Sequence, residues 1–423
     1  MKKKGLVASL LLGVVSSLYL RFGAYLSVGE TLCLCAVPLL LFSGAYRDVP
    51  RAHRVTIILF CVWFIGAVLS DWYNEVNFDY ALRGWGQLSF FFGSYAALLG
   101  LAQKRRFRVD WFMVGATLSK LVNIFGLRPG NIDARTEEDF AYASWKLIYG
   151  QVLDCGIMAL AALIFGKRPK TATLLLVSAG VVNLLMGARS MGGIQITAAI
   201  TALVIRYWGV IRSDGGVVLS GGQRAVYVIA VVLVAACVYY GYYSAAGSGL
   251  LGPAAQDKAI AERGGRFGAI SSSRVQLVGG ALAIIDSPII GYGSWALDYG
   301  GYGRRAAELV GVEWRGESRN ALGLARMPSH SYIVEFWVEH GILAGIFWLW
   351  IGYRLLRFSG TVGLAGVREI AFGTLLLCAL AWNYWFSPLG DRMIIAAWLL
   401  YVNSTVPQRW SLMGADVRSL RLS

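Results

Sequence analysis

The feature that most constrains this chain is a train of apolar runs, each about 16–22 residues long, that recurs from end to end. As helices, runs of that length cross ~30 Å of hydrocarbon. Backbone groups in lipid must be satisfied within the segment, and these runs are continuous rather than alternating. They are therefore helices and not barrel strands. With 57% hydrophobic and only 15% charged residues among 423, an ordinary soluble enzyme is excluded. The predicted class is an all-α polytopic membrane protein of about twelve transmembrane helices, with one long loop that carries short helices.

Spans are predicted near 5–20, 27–45, 55–71, 82–102, 109–127, 147–166, 171–188, 191–210, 225–245, 331–353, 369–386 and 392–406. Met1-Lys2-Lys3-Lys4 ahead of the first run has the look of a signal peptide. No small-residue cleavage site follows, so it reads as a first span with a cytoplasmic N-terminus. Alternating sides then puts Arg47, Arg51 and Arg54, Lys104 to Arg108, Lys167 to Lys170, Arg206 to Arg224, Arg354 to Arg368 and Arg409 to Arg421 inside. The acidic connections around Asp71-Trp72-Tyr73-Asn74-Glu75 and Glu137-Glu138-Asp139 fall outside. One miscounted span would scramble that alternation, and it stays ordered.

Three units follow: helices one to nine in 1–245, a long extracytoplasmic loop in 246–330, and helices ten to twelve with a cytoplasmic tail in 331–423. The net charge of +15 does not imply nucleic acid, because no basic tail interleaved with aromatics and no binding module is present. The six cysteines all lie in apolar runs and read as small buried hydrophobes, with no disulfide framework. No internal repeat relates the first six spans to the last six.

The loop breaks the positive-inside rule. Lys258, Arg263, Arg266, Arg274, Arg304, Arg305, Arg315, Arg319 and Arg326 crowd a segment that should be poor in them. Long loops are partly exempt, so one reading is a solvated basic surface; the other is a site for an anion. Arg189, in Leu185-Met186-Gly187-Ala188-Arg189-Ser190, sits among small residues that leave its guanidinium accessible, although an interfacial arginine often only snorkels. Arg274 follows Ser271-Ser272-Ser273, a helix N-terminal signal, and an arginine at a helix N-terminus suits a phosphate. His330 stands at the mouth of the tenth span, as a general base on a sugar hydroxyl or a phosphate donor.

Of the other histidines, His53 lies in a cytoplasmic basic loop and His340 inside Glu339-His340-Gly341. Asp298, Glu313, Glu317 and Glu335 are acidic alternatives for the base. No DxD, HExxH or CxxC motif appears, so no metal and no cofactor is predicted. Asp154 and Asp286 lie in or near spans, where charge is costly; helix-end snorkelling accounts for Lys120 and Lys146.

Arg189, then Arg274, Ala281, Ile285, Pro288, Gly291 and Gly293, then His330, Glu339, Gly341 and Gly345 form a pattern. It resembles the O-antigen polymerase and O-antigen ligase superfamily of bacterial envelope glycosyltransferases. The resemblance covers mainly residues 180–350 and the span layout. The chain departs from it at Ser331, where asparagine is frequent, at His340, where an apolar residue is usual, and at Ala344, where a second glycine is common.

What the resemblance implies is an inverting, metal-independent transfer at the periplasmic face of the bacterial inner membrane. The donor is a glycan on undecaprenyl diphosphate, and the acceptor a glycan or lipid A core. A chain-length regulator and a flippase are the partners implied beside membrane lipids. Arg189, Arg274 and His330 would be the catalytic residues. Arg266, Arg326, Tyr292, Trp295, Tyr302 and Glu339 would bind substrate, with Tyr299 and Trp314 further aromatics for sugar faces. The extended basic, aromatic loop favours a polymerase over a ligase; a lipid or solute transporter is the alternative from another class.

Overall fold

The structure, a computed structural model, describes residues 2–22, 24–125, 145, 149–208, 210–211, 217–218, 221–263, 274–312, 326–327, 331–362, 369–387 and 390–406. Helix dominates them. The chain opens with α1 (Lys2–Ser16), a hairpin of β1 (Tyr19–Phe22) and β2 (Ala24–Ser27), and α2 (Val28–Phe42). Next come α3 (Arg51–Tyr73), α4 (Phe78–Gln103), α5 (Val109–Phe125), α6 (Gly150–Ile164), α7 (Pro169–Leu185) and α8 (Arg189–Trp208). A second hairpin, β3 (Val210–Ile211) with β4 (Val217–Val218), leads to α9 (Gly221–Gly247) and α10 (Pro253–Arg263). Two short helices, α11 (Val275–Asp286) and α12 (Tyr302–Val310), precede α13 (Tyr332–Ser359), α14 (Ile370–Phe386) and α15 (Arg392–Thr405).

The all-α class holds, the described strands being confined to those two hairpins. A helix overlaps every range predicted as a span. By length and composition, α3 and α13 are long and apolar enough to cross a membrane; α2, α6, α7, α11 and α14 are apolar but shorter. Local signals explain several starts. Ser27 caps α2 by accepting from the Glu30 N–H (3.3 Å), Asn77 caps α4 through Asp79 (2.9 Å), and Ser331 caps α13 through Val334 (3.3 Å).

The helices pack closely where side chains are small. A Cβ on Gly13 would lie 2.2 Å from the Phe112 carbonyl, and one on Gly115 2.1 Å from that of Leu10, so α1 and α5 touch backbone to backbone. The core is aromatic. Trp63 of α3 meets Phe336, Phe347 and Trp348 at ring distances of 4.7, 4.9 and 5.9 Å.

That cluster exposes a departure from the predicted single span at 331–353. Gly341 breaks α13, with φ +66° and ψ −158°. On a continuous helix Tyr332 and Trp348 would stand about 24 Å apart. Their rings are 5.1 Å apart, and Phe336 stacks on Trp348 at 5.9 Å. A Cβ on Gly345 would meet the Trp337 ring at 2.6 Å. The two arms of α13 are therefore folded against each other as a hairpin with its tip at Gly341.

The segment after α11 closes that tip. Ile289 accepts from the Ile342 N–H (3.0 Å), while Tyr292 and Gly293 donate to the carbonyls of Val338 and Glu339 (2.8 Å each). Ser70, near the C-terminal end of α3, donates to the Glu339 carbonyl (2.8 Å). The tip thus lies at the α3 end opposite His53. From there the first arm runs back into the bundle, so that Ser331 donates to the Tyr384 carbonyl (2.8 Å). α11 runs parallel to that arm: its C-terminal end reaches the tip, and Arg274 at its N-terminus reaches Trp382 and Phe386 of α14.

Candidate functional site

Two of the predicted catalytic residues come together. Thr374 of α14 donates to the Ala198 carbonyl of α8 (3.3 Å). Arg189 lies as many residues before Ala198 as Asn383 lies after Thr374, so the antiparallel pair sets Arg189 level with Asn383. Trp382 and Phe386 flank that level, and the Arg274 guanidinium lies 5.1 and 5.0 Å from their ring centroids. Burial first, and then the charge of Arg189, lower the Arg274 guanidinium from its ordinary value; Glu262 and Tyr243 act the other way. The Arg274 guanidinium makes no hydrogen bond or ion pair among the described residues.

Arg189 is held differently. Its guanidinium forks onto the Glu262 carboxylate (2.7 and 2.8 Å) and donates to the Tyr243 hydroxyl (3.1 Å). Tyr242 and Tyr243 present their rings at 5.3 and 5.8 Å. Burial works against its charge, yet Glu262 outweighs burial and holds the group above its ordinary value. Arg263 donates to the Tyr243 carbonyl (2.8 Å) and ties α10 to the end of α9.

The N-termini of α11 and α13 open towards the same end of α14, since Ser331 is bonded to Tyr384 and Arg274 lies over that residue's neighbours. No side chain caps α11, so its first N–H groups keep their positive character. Each helix arm is about 13–18 Å long, which recesses this level well below the tip at Gly341. Arg189 and Arg274, with Glu262 between their charges and the uncapped N-terminus of α11 beside them, make a net-positive level suited to a polyanion. His330 and Arg266 lie outside the described residues.

The remaining predicted residues sit at the tip, at the far end of α11 from Arg274. Arg326 pairs with Glu339 (3.2 Å) and lies 3.9 Å over the Trp295 ring. Glu339 is buried and also accepts from the Trp295 N–H (3.1 Å), holding Trp295 at φ +60°. Tyr292 and Tyr302 bond through their hydroxyls (2.7 Å), and Tyr302 donates to Asp286 (2.7 Å). Burial first, with Tyr292 and Asp286 adding to it, raises the Tyr302 phenol. Tyr302 is 6% exposed, which leaves no ring face for a sugar. Asp298 caps α12 through the N–H groups of Tyr302 and Gly303 (2.7 and 2.9 Å), which occupies it as a base.

Asp71, Ser294 and His340 form a chain that invites a hydrolase reading. Trp63 donates to Nδ1 of His340 (3.1 Å), so Nε2 carries the proton and faces Ser294 Oγ (3.1 Å), which donates to Asp71 (2.9 Å). Ser294 is 1% exposed and the proton order is reversed from that of a nucleophile. The chain is a clasp for the tip.

Other predictions are corrected by burial and pairing. Lys120 does not snorkel: it is 8% exposed and bonded to Asp391 (2.6 Å) and Gln151 (2.8 Å). His53 is not in a loop but buried in the first turn of α3, against Tyr95 (2.8 Å). Cys35, Cys61 and Cys237 are exposed on the bundle exterior rather than buried. Asp154 joins Gln195 and Asn183, and Asn183 accepts from Trp145 (2.9 Å). Among the described residues no group of three His, Cys, Asp or Glu is placed to hold a metal.

Glu262, Tyr243, Trp382 and Phe386 went unnoticed in the sequence. An acid next to Arg263 in a basic loop, and an aromatic pair four apart at the end of an apolar run, are the available signals. No protein-family model matches this chain, and no curated protein matches it significantly.

Proposed function

We propose that the chain is a polytopic inner-membrane glycosyltransferase of about twelve spans, working on the periplasmic side. It transfers a glycan from undecaprenyl diphosphate to an acceptor sugar hydroxyl, as a polysaccharide polymerase. The observation that carries this reading is the meeting of Arg189 and Arg274 at one recessed level, with Arg274 unpaired among the described residues. An uncompensated, partly buried guanidinium is costly unless an anion visits it.

The chemistry follows from charge. The acceptor oxygen attacks the anomeric carbon from the face opposite the leaving group and its configuration inverts. The bond from that carbon to the phosphate oxygen breaks, and its electron pair stays on the diphosphate. Arg274 and Arg189 stabilise the charge that builds there. The acceptor proton passes to a base, for which His330 is the sequence candidate. A ligase using lipid A core needs the same donor site and differs in its acceptor.

A purified, reconstituted transfer assay tests the reading, with undecaprenyl-diphosphate-linked repeat units supplied with and without core acceptor. A ladder without core marks a polymerase; single transfer dependent on core marks a ligase. Arg274→Ala should lose about 10²–10³ in turnover, and Arg274→Lys most of that, because it keeps the charge but not the fork. Full activity in both variants overturns the assignment.

A second reading draws on a specific observation. The break at Gly341 and the buried pairs Lys120–Asp391 and Glu30–Arg392 (2.7 Å) are features that transporters use. Gradient-driven flux of an anion in the same vesicles, without transfer, would favour it.

A further inference from the structure

Glu262 puts a negative charge where the donor's charge would bind. Both its oxygens take the Arg189 fork, in the two-point geometry that arginine offers a phosphate as readily as a carboxylate. The Tyr243 hydroxyl donates to it as well. Arg274, within reach of both charges, keeps its own guanidinium unpaired among the described residues. α10, which carries Glu262, rests on α9 through a small cluster of Tyr243, Ala246 and Ala259, separate from the main core. Its attachment to the rest is to α8 and α9, through Glu262 and Arg263, and not to the main core.

We propose that Glu262 is a specificity residue: it occupies Arg189 in the unliganded protein and yields only to a ligand that brings two linked phosphates. This rests on the lipid-diphosphate reading above. With Glu262 in place, Arg189, Arg274 and that carboxylate together leave a single net positive charge, with Arg263 beyond Tyr243. A monophosphate on Arg274 gains little from competing for Arg189. A diphosphate anchored on Arg274 presents its second phosphate to Arg189 at high effective concentration and displaces the carboxylate. Glu262 therefore screens out single phosphates, which are abundant as free phosphate and lipid headgroups, and admits the diphosphate.

Glu262 shares a side with the leaving group, so it is not the base. In an inverting displacement the base faces the other side of the anomeric carbon.

The test is binding of inorganic pyrophosphate and inorganic phosphate to the full-length protein in nanodiscs, by calorimetry. Wild type should prefer pyrophosphate by at least about tenfold. Glu262→Gln should bind both more tightly and shrink that preference about tenfold, because the neutral amide competes poorly for Arg189. A carboxylate that merely oriented Arg189 would give the opposite sign, weaker binding of both. Tyr243→Phe, which removes one donor to Glu262 and keeps the ion pair, should move binding in the same direction as Glu262→Gln but less. It serves if Glu262→Gln does not fold. An unchanged or weakened pyrophosphate affinity in both variants overturns the proposal. If Arg274→Ala binds pyrophosphate as wild type does, the donor-site reading itself falls.

Discussion

Arg189 and Arg274 carry the same charge in different states, and the difference comes from neighbours that the sequence does not place. Local signals mark both: the Gly187-Ala188 junction before one, the serine run before the other. Nothing local marks Glu262 or Trp382, because a carboxylate in a loop and an indole in an apolar run are ordinary until the fold sets them beside a guanidinium. Lys120 shows the same gap. Helix-end snorkelling is the default for such a lysine, and only the packing of α5, α6 and α15 reveals Asp391 and Gln151 as partners. The pair is mostly buried, so Lys120→Met, which removes its cation, should destabilise by about 3–5 kcal/mol. Adding Asp391→Asn should recover much of the loss. Thermal unfolding in detergent of the two single variants and the double checks it; additive losses would show that the charges do not interact.

Among the elements, α13 carries the largest departure from what hydropathy predicts. Its 28 residues score as one apolar helix, and the average over any window is blind to a single backbone angle. Gly341 supplies that angle. A Cβ there would lie 2.0 Å from the Ile289 carbonyl at a positive φ, so both space and conformation require glycine. The hairpin has a direct test. In a cysteine-free background, Trp337→Cys with Gly345→Cys should form a disulfide under mild oxidation. On a straight helix these positions lie about 12 Å apart along the axis, beyond disulfide reach. Absence of the crosslink in a folded, monodisperse protein would mean the arms are not folded together. Gly341 and Gly345 stand out in the sequence as part of a family-like pattern, but the pattern says nothing of direction.

At the scale of the whole molecule, the two ends of the bundle are chemically distinct. One end gathers His53, Tyr95, Asn403 and Arg354 into a buried polar network beside the basic connections. The opposite direction leads to the Arg189–Arg274 level and on to the tip at Gly341. The proposed topology makes the arginine level reachable from outside only. In right-side-out vesicles of a cysteine-free background, Arg274→Cys should react with a membrane-impermeant thiol reagent. Labelling only in inverted vesicles would reverse the topology and remove the lipid-linked donor from reach.

The all-α class, the helix content and a helix over each long apolar run were legible in the sequence. All three depend on composition over a run of residues, and lipid demands a helix wherever such a run crosses it. The resemblance also singles out Arg189 and Arg274. The tertiary structure decided the rest: the reversal at Gly341, the recess it creates, and the pairing that leaves one arginine occupied and the other open. Each depends on which residues meet after distant segments pack, and hydropathy averaged along the chain carries no record of such meetings.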